Sequence, residues 1–159
     1  MPLRTPLTVM RIRRQSPSNT FGMVRKRKDG TDKPHQGWDL KAAVGTPVYA
    51  VAEGEIIAVD TAGAGDYGKT ITLRFLFDGQ WYFAFYAHLS DISVTTGDIV
   101  HAGKKIGTSG RTGNAVHLKA AADEHLHFEI RTRWTGGKGL KGRIDPGQLL
   151  GYGVYSSGL

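Results

Sequence analysis

From residue 35 onward the sequence consists of short apolar runs separated by turn residues, and this pattern limits the fold most strongly. No stretch keeps the 3.6-residue apolar period of an amphipathic helix. β-branched and aromatic runs occupy residues 69–77 and 81–89, and the Asp-Gly between them predicts a tight hairpin. The chain has 159 residues, 22 of them glycines that can supply further turns. We therefore predict an all-β, mainly antiparallel domain, with one helical turn after Pro146.

Positive charge is concentrated at the N-terminus. Residues 1–41 contain ten Lys or Arg and three Asp or Glu, whereas residues 42–159 contain eleven of each. The basic runs at 11–14 and 25–28 could bind anionic envelope polymers, although a solvated arm is the simpler interpretation. We divide the chain into three segments: a basic, irregular N-terminal arm (1–34), the main domain (35–150) and a C-terminal tail (151–159).

The most informative motif for function is the H-x-H of "HLHFEIR", from His125 to Arg131. Side chains on a strand alternate between its two faces, so His125 and His127 share a face with Glu129 and Arg131. The other face carries three apolar side chains that we expect in the core: Leu126, Phe128 and Ile130. A lone histidine is more often a surface or hydrogen-bonded residue than a ligand, but two on one face suit a common ion. Because the chain has no cysteine, any zinc site must use His, Asp or Glu.

The segment "HQGWDL" offers further ligands. His35 and Asp39 lie four residues apart, and Gly37 between them favours a tight bend over a helix. A bend can turn both side chains toward one point. Taken alone, this segment would be interpreted as an ordinary polar turn.

His88 ends the aromatic run "WYFAFYAHL". The bulkier set of alternating side chains is expected to face the core: Trp81, Phe83, Phe85 and Leu89. The opposite face carries Tyr82, Ala84, Tyr86 and His88, so we expect His88 in the same polar groove as the H-x-H pair. His101 and His117 have no such partners and are predicted to lie on the surface.

In combination and in this order, the segments "HQGWDL", "FYAHLS", "GDIVHAGKKIGTSGRTG", "HLHFEIR" and "DPGQLL" resemble the lysostaphin/LytM-type zinc metallopeptidases. The resemblance covers roughly residues 35–150 and implies a narrow groove with one zinc ion at its floor. It implies His35, Asp39 and His127 as metal ligands and His125 and His88 as catalytic residues. It also implies a substrate in the peptide part of bacterial peptidoglycan.

The chain departs from this family pattern in two places. Residues 114–124 are longer than the usual connection to the H-x-H, and Glu124 stands where a proline is common. Trp38 is bulkier than the usual residue at that position and could either line the groove or pack inward. We expect the longer connection to border the groove and to affect substrate choice.

We therefore predict a zinc-dependent endopeptidase that hydrolyses amide bonds in peptidoglycan stem peptides or crosslinks, in a lytic role such as that of a phage or interbacterial enzyme. One alternative is a non-catalytic cell-wall-binding or activator domain of the same fold. A nucleic-acid-binding protein is disfavoured, because the domain outside the arm is neutral and its aromatic residues are expected mostly in the core.

The sequence also suggests where the protein acts. No run is long and apolar enough to span a membrane, and no signal peptide is recognisable. We expect a monomer that acts in the periplasm or cell wall. It would be delivered by holin-assisted lysis, by a secretion machine, or as part of a larger exported protein.

Overall fold

One long antiparallel hairpin forms the centre of the main sheet. In this computed structural model, which describes residues 2–158, β6 (Lys69–Phe77) pairs with β7 (Gln80–Ile92) over almost its whole length. Asp78 and Gly79 connect them with φ of 51° and 76°. Positive φ at both positions is typical of the type I′ turn that matches the twist of a hairpin, so the Asp-Gly prediction is confirmed.

The other strands are β1 (Gly22–Lys26), β2 (Asp32–His35), β3 (Trp38–Lys41), β4 (Pro47–Tyr49), β5 (Gly54–Asp60), β8 (Ile99–Val100), β9 (Lys105–Ser109), β10 (His125–Arg131) and β11 (Arg143–Ile144). Strands β3 to β11 form one nine-stranded sheet with the path β11-β10-β7-β6-β5-β8. Strand β3 joins the free part of β10, and β9 pairs with both β4 and β7. All pairings between strands are antiparallel among the described residues, as predicted.

Helical structure is limited to short segments at turns and at the C-terminus. The predicted helical turn after Pro146 is α1 (Gly147–Leu150), and α2 (Gly153–Gly158) follows it. The 3-10 turns are Arg13–Gln15, Pro17–Asn19, Gly113–His117 and Ala121–Asp123. No helix in residues 2–158 is long and apolar enough to cross a membrane.

Strand β10 divides the molecule into a core side and a groove side. Leu126, Phe128 and Ile130 are fully buried in the hydrophobic core, as their alternation predicts. The ring of Phe128 meets that of Tyr86 edge-on, with centroids 5.2 Å apart. The opposite face of β10 carries the polar residues, beginning with His125 and His127, and β10 thus positions half of the candidate site.

The predicted faces of β7 are wrong before His88, whereas His88 and Leu89 lie where they were predicted. Ala84 and Tyr86 lie in the core, whereas Phe85 lies on the polar face, where the Arg131 guanidinium sits 3.9 Å from its ring centroid. His88 reaches the groove because its φ is +60°, and the β6–β7 register shifts between Tyr86 and Leu89. This irregularity interrupts the alternation, so that Leu89 returns to the core.

The N-terminal arm is more ordered than predicted. Strands β1 and β2 form a separate hairpin whose register pairs Arg25 with Lys33. Upstream, Leu7 and Ile12 are 1% exposed and belong to the main core. The expected tail is mainly α2, while residues 1 and 159 lie outside the described part of the chain. The three-segment division itself stays a prediction.

Candidate metal centre

A sharp bend between β2 and β3 brings His35 and Asp39 together. His35 ends β2, and Asp39 is the second residue of β3, which pairs with β10 so that Asp39 lies opposite His127. The bend requires glycine because a Cβ on Gly37 would overlap the backbone carbonyl of Phe128. The bend predicted from "HQGWDL" therefore forms against the H-x-H strand.

The three predicted metal ligands converge on one point. His35 Nε2 lies 3.2 Å and His127 Nδ1 2.9 Å from Asp39 Oδ1. One potential ligand atom from each residue lies within 4.8 Å of the other two, and all three side chains are buried. Zinc–ligand bonds of about 2.0–2.1 Å place neighbouring donor atoms of a tetrahedral site about 3.3 Å apart. The observed spacing is close to this value.

Each histidine is oriented by a hydrogen bond at its other ring nitrogen. His35 Nδ1 donates to the backbone carbonyl of Thr20 at 2.8 Å, which leaves Nε2 facing Asp39. His127 Nε2 donates to Glu129 Oε2 at 2.7 Å, which leaves Nδ1 facing Asp39. Carboxylate or carbonyl partners of this kind fix the ring orientation and tautomer of metal-binding histidines.

Glu129 is fully buried and links His127 to two arginines. Its Oε1 accepts hydrogen bonds from Arg131 Nε at 2.8 Å and from Arg143 Nε at 2.7 Å. Burial alone would raise the pKa of Glu129, but His127 and these arginines hold it at about 2. Glu129 is therefore an ionised carboxylate directly behind the candidate ligand His127.

Two arginines from the N-terminal arm contact the second oxygen of Asp39. Arg25 Nη2 lies 2.9 Å and Arg13 Nη2 3.4 Å from Asp39 Oδ2. Both arginines also donate to the side-chain oxygen of the buried Asn19. They hold Oδ2 away from the histidines and leave Oδ1 directed at them. These three residues were not predicted from the sequence, although Arg13 and Arg25 lie in the basic runs at 11–14 and 25–28.

The pKa values show that the pocket favours positive charge beside its carboxylates. Burial would raise the pKa of Asp39, but hydrogen bonds from His127 and His35 hold it well below its usual range. Burial would lower the pKa of His127, but Asp39 and Glu129 raise it to about 9. A buried carboxylate and two oriented imidazoles fit a divalent zinc ion, which binds this donor set in many catalytic sites.

The two predicted catalytic histidines lie beside the ligand group. His125 Nε2 is 3.7 Å from Asp39 Oδ1, and the His88 and His125 rings are 5.1 Å apart. His125 Nδ1 donates to the Asp123 carbonyl and His88 Nδ1 to the Thr112 carbonyl, each at 2.8 Å. Since a carbonyl only accepts, each Nδ1 carries the hydrogen and each Nε2 keeps a lone pair. For His125 this carbonyl is the shorter of two contacts at Nδ1, because the Arg13 Nη1 donor lies 3.3 Å away.

Burial lowers the pKa of both histidines, and that of His88 falls to about 4. His88 and His125 are therefore neutral at neutral pH, and each can accept a proton at Nε2. The other two histidines, His101 and His117, are exposed as predicted.

These side chains lie along an open groove of about 480 Å³. Tyr67, which was not predicted as a site residue, stacks on His127 with centroids 5.4 Å apart and donates to Gln36. Residues of the longer connection line the groove as predicted: Asn114, Ala115 and Leu118. Trp38 packs inward, where its Nε1 donates to the Tyr155 hydroxyl at 3.1 Å.

Comparison with known proteins agrees with this geometry. Residues 33–152, three quarters of the chain, match the protein family described as peptidase family M23. The chain belongs to peptidase family M23. The expected lysostaphin-type relationship and fold are thereby confirmed, and zinc dependence is general to this family.

Named relatives include a bacterial lipoprotein and a peptidoglycan DD-endopeptidase. The chain is 36% identical over 131 residues to the uncharacterized lipoprotein YgeR of Escherichia coli K12, covering 82% of this chain and 45% of that one. It is 33% identical over 111 residues to the peptidoglycan DD-endopeptidase ShyA of Vibrio cholerae, covering 70% of this chain and 23% of that one. The chain therefore spans less than half the length of either relative.

A solved structure matches over nearly its whole length. The catalytic domain of lysostaphin from Staphylococcus simulans superimposes with a TM-score of 0.63 at 31% identity. The match covers 84% of this chain and 90% of that domain. The fold of this M23 chain is thus that of an antimicrobial peptidase's catalytic domain.

Proposed function

We propose that this M23 chain is a zinc-dependent endopeptidase that hydrolyses amide bonds in the peptide part of bacterial peptidoglycan. The observation that carries the proposal is the convergence of His35, Asp39 and His127 beside two neutral histidines in an open groove. The names of the relatives, which include a peptidoglycan DD-endopeptidase, supply the substrate class.

The metal site is proposed to bind one zinc ion through His35 Nε2, Asp39 Oδ1 and His127 Nδ1. When bound, zinc supplies a Lewis acid for the carbonyl and an acidified water molecule as nucleophile. The other steps of the reaction are carried out by side chains of the protein. They bind the peptide in the groove, orient the water and move protons between the water and the leaving amine.

His125 is the proposed general base. Its Nε2 carries a lone pair and lies at the edge of the ligand group, so it can take a proton from the attacking water. The same nitrogen can then donate that proton to the nitrogen of the scissile bond, so that it leaves as a neutral amine and not as an amide anion. His125 would be neutral again at the end of the cycle.

His88 is proposed to orient the water. With Nδ1–H donated to Thr112, its Nε2 accepts hydrogen bonds at neutral pH. It can therefore accept from a water molecule but cannot donate to an oxyanion unless it becomes protonated. This favours orientation of the nucleophile over stabilisation of the tetrahedral intermediate as the role of His88.

The proposed site of action is the bacterial cell wall, as for the envelope proteins among the relatives. The predicted routes of delivery and the predicted monomeric state stay predictions.

The experiment is digestion of defined muropeptides followed by mass spectrometry, with and without a chelator. Wild-type protein with zinc should release fragments cut at one amide, and the chelator should stop the reaction. His125→Ala should keep one zinc per chain and lose about 10²–10⁴-fold in turnover, whereas His127→Ala should lose both. Intact zinc without any cleavage by the wild-type protein would favour the non-catalytic alternative. Full cleavage by His125→Ala would contradict the general-base role.

A further inference from the structure

One wall of the groove is the β1–β2 hairpin, and it presents a row of basic side chains. Arg25 lies in β1, and Arg27 is the first residue after that strand, with its backbone N–H donating to the Thr31 carbonyl at 2.8 Å. Lys33 lies directly opposite Arg25 across the hairpin, and His35 follows two residues after Lys33. All four side chains line the groove. The row thus runs from the metal centre toward the outer end of the hairpin.

The two outer members of this row, Arg27 and Lys33, keep their charge available. Arg27 donates only to neutral acceptors, the Thr31 hydroxyl and the backbone carbonyl of Asp32. Lys33 has no ion pair within the described chain, and both side chains are exposed. By contrast, Arg25 is paired with the buried Asp39.

The carboxylates nearby do not neutralise this pair. Asp29 bonds to Thr31, and Asp32 bonds to Lys26, which does not line the groove. On the opposite wall the lining side chains are neutral or apolar apart from the exposed Asp66. The groove therefore has a cationic patch on one side of the metal centre.

We propose that Arg27 and Lys33 form a carboxylate-binding subsite, which selects peptides carrying a free carboxylate close to the bond that is cut. This inference rests on the proposed endopeptidase function, and it restricts the substrate to peptides with a free carboxylate near the scissile amide. Lys33 lies two residues from His35, or about 7 Å along the strand. The recognised carboxylate is therefore one to two residues from the scissile amide. Arginine and lysine both form charge-assisted hydrogen bonds to a carboxylate, and arginine can do so with two parallel bonds.

The subsite would disfavour substrates that are uncharged near the scissile bond, such as an oligoglycine bridge. A directly crosslinked stem peptide, with a free α-carboxylate beside the amide, fits it. Because Arg27 and Lys33 are exposed, the selectivity should be moderate and should weaken as the salt concentration rises.

The test uses the full chain with one equivalent of zinc and the substitution His125→Ala, so that bound peptide is not hydrolysed. Two synthetic crosslinked peptides are compared, identical except that one carries an α-carboxylate beside the scissile amide and the other a carboxamide. We expect the carboxylate peptide to bind about three- to tenfold more tightly in 50 mM salt. Adding Arg27→Gln and Lys33→Gln should abolish the difference. Adding Lys28→Gln, a change on the same hairpin outside the groove, should leave it intact.

Equal binding of the two peptides, or no binding of either, would overturn the subsite. The subsite would also be overturned if Lys28→Gln reduced the preference for the carboxylate peptide as much as Arg27→Gln and Lys33→Gln together. The preference would then come from net charge alone. These results do not depend on turnover. Cleavage of both peptides at the same rate by the wild-type chain would contradict the subsite and support the proposed activity. If the wild-type chain cleaves neither peptide, the proposed endopeptidase activity is contradicted. The difference in binding affinity between the two peptides then decides whether the subsite exists.

Discussion

At the scale of single residues, Glu129 connects the metal centre to the interior of the protein. Its two oxygens bind His127 on one side and Arg131 and Arg143 on the other. A buried carboxylate with three charged or ionisable donors is rigidly held, because each donor limits its rotation. The orientation of His127 therefore depends on a residue that does not itself face the ligand point.

Glu129→Gln should weaken zinc binding by about 10–100-fold. The amide keeps the size of the side chain but removes the negative charge that orients His127. Competition with a chromophoric chelator measures the zinc dissociation constant. The matched control is Glu55→Gln, which removes a carboxylate paired with Arg74 at 2.9 Å on the partly exposed strand β5. Equal zinc affinity in wild type and Glu129→Gln would contradict the supporting role of Glu129.

The sequence predicted the residues that converge on the metal centre but not those that support them. His125 and His127 were assigned to one face because strand alternation is a local rule. Arg13 and Arg25 reach Asp39 through the fold of the N-terminal arm, and no spacing between them and Asp39 indicates that contact. A long-range contact of this kind leaves no periodic signal in the sequence.

At the scale of secondary structure, two irregularities position the site. One is the left-handed residue His88 near the end of β7, which turns its side chain into the groove and away from the core face of Ala84 and Tyr86. Alternation predicted the wrong core face for β7, because it assumed that the bulkier side chains face inward. In the structure Tyr86 occupies the core while Trp81 is 52% exposed.

The other irregularity is the bend at Gly37, and its replacement tests the geometry directly. Gly37→Ala should lower the free energy of unfolding by about 1–3 kcal/mol, because the added methyl group would push β3 away from Phe128. Zinc affinity should also fall, since Asp39 lies on the displaced strand. Chemical denaturation of the metal-free protein separates the first effect from the second.

Gly65→Ala is the control for this substitution, since nothing lies within 4 Å of a Cβ at that exposed position. Its effect on unfolding should be within about 0.5 kcal/mol. A Gly37→Ala protein as stable as this control, with normal zinc affinity, would show that the bend tolerates a side chain.

At the scale of the whole molecule, the N-terminal arm is part of the folded domain. Its basic residues, predicted as candidates for anionic polymers, are partly used within the protein. Arg13 and Arg25 contact Asp39, and Arg14 makes two hydrogen bonds to Asp123, at 2.7 and 2.9 Å. The composition locates the excess positive charge, but it does not show which basic side chains pair with acidic groups inside the protein. Binding of anionic envelope polymers by this arm stays a prediction.

Ile12→Ala should destabilise the whole domain by about 2–5 kcal/mol, because Ile12 is 1% exposed in the main core. Val9→Ala is the matched control, since Val9 is 60% exposed and its loss should cost no more than about 0.5 kcal/mol. Denaturant unfolding of both variants at the same zinc concentration makes the comparison. Similar stability of the two variants would mean that the arm does not contribute to the core.

The central claim is that His35, Asp39 and His127 bind one zinc ion, and anomalous diffraction tests it most directly. Crystals of the zinc-loaded chain would be measured on both sides of the zinc absorption edge. The claim predicts one strong anomalous peak about 2.0–2.2 Å from His35 Nε2, Asp39 Oδ1 and His127 Nδ1. The claim would be contradicted if the zinc peak lay among other residues. It would also be contradicted if zinc-containing crystals showed no anomalous peak between these three residues.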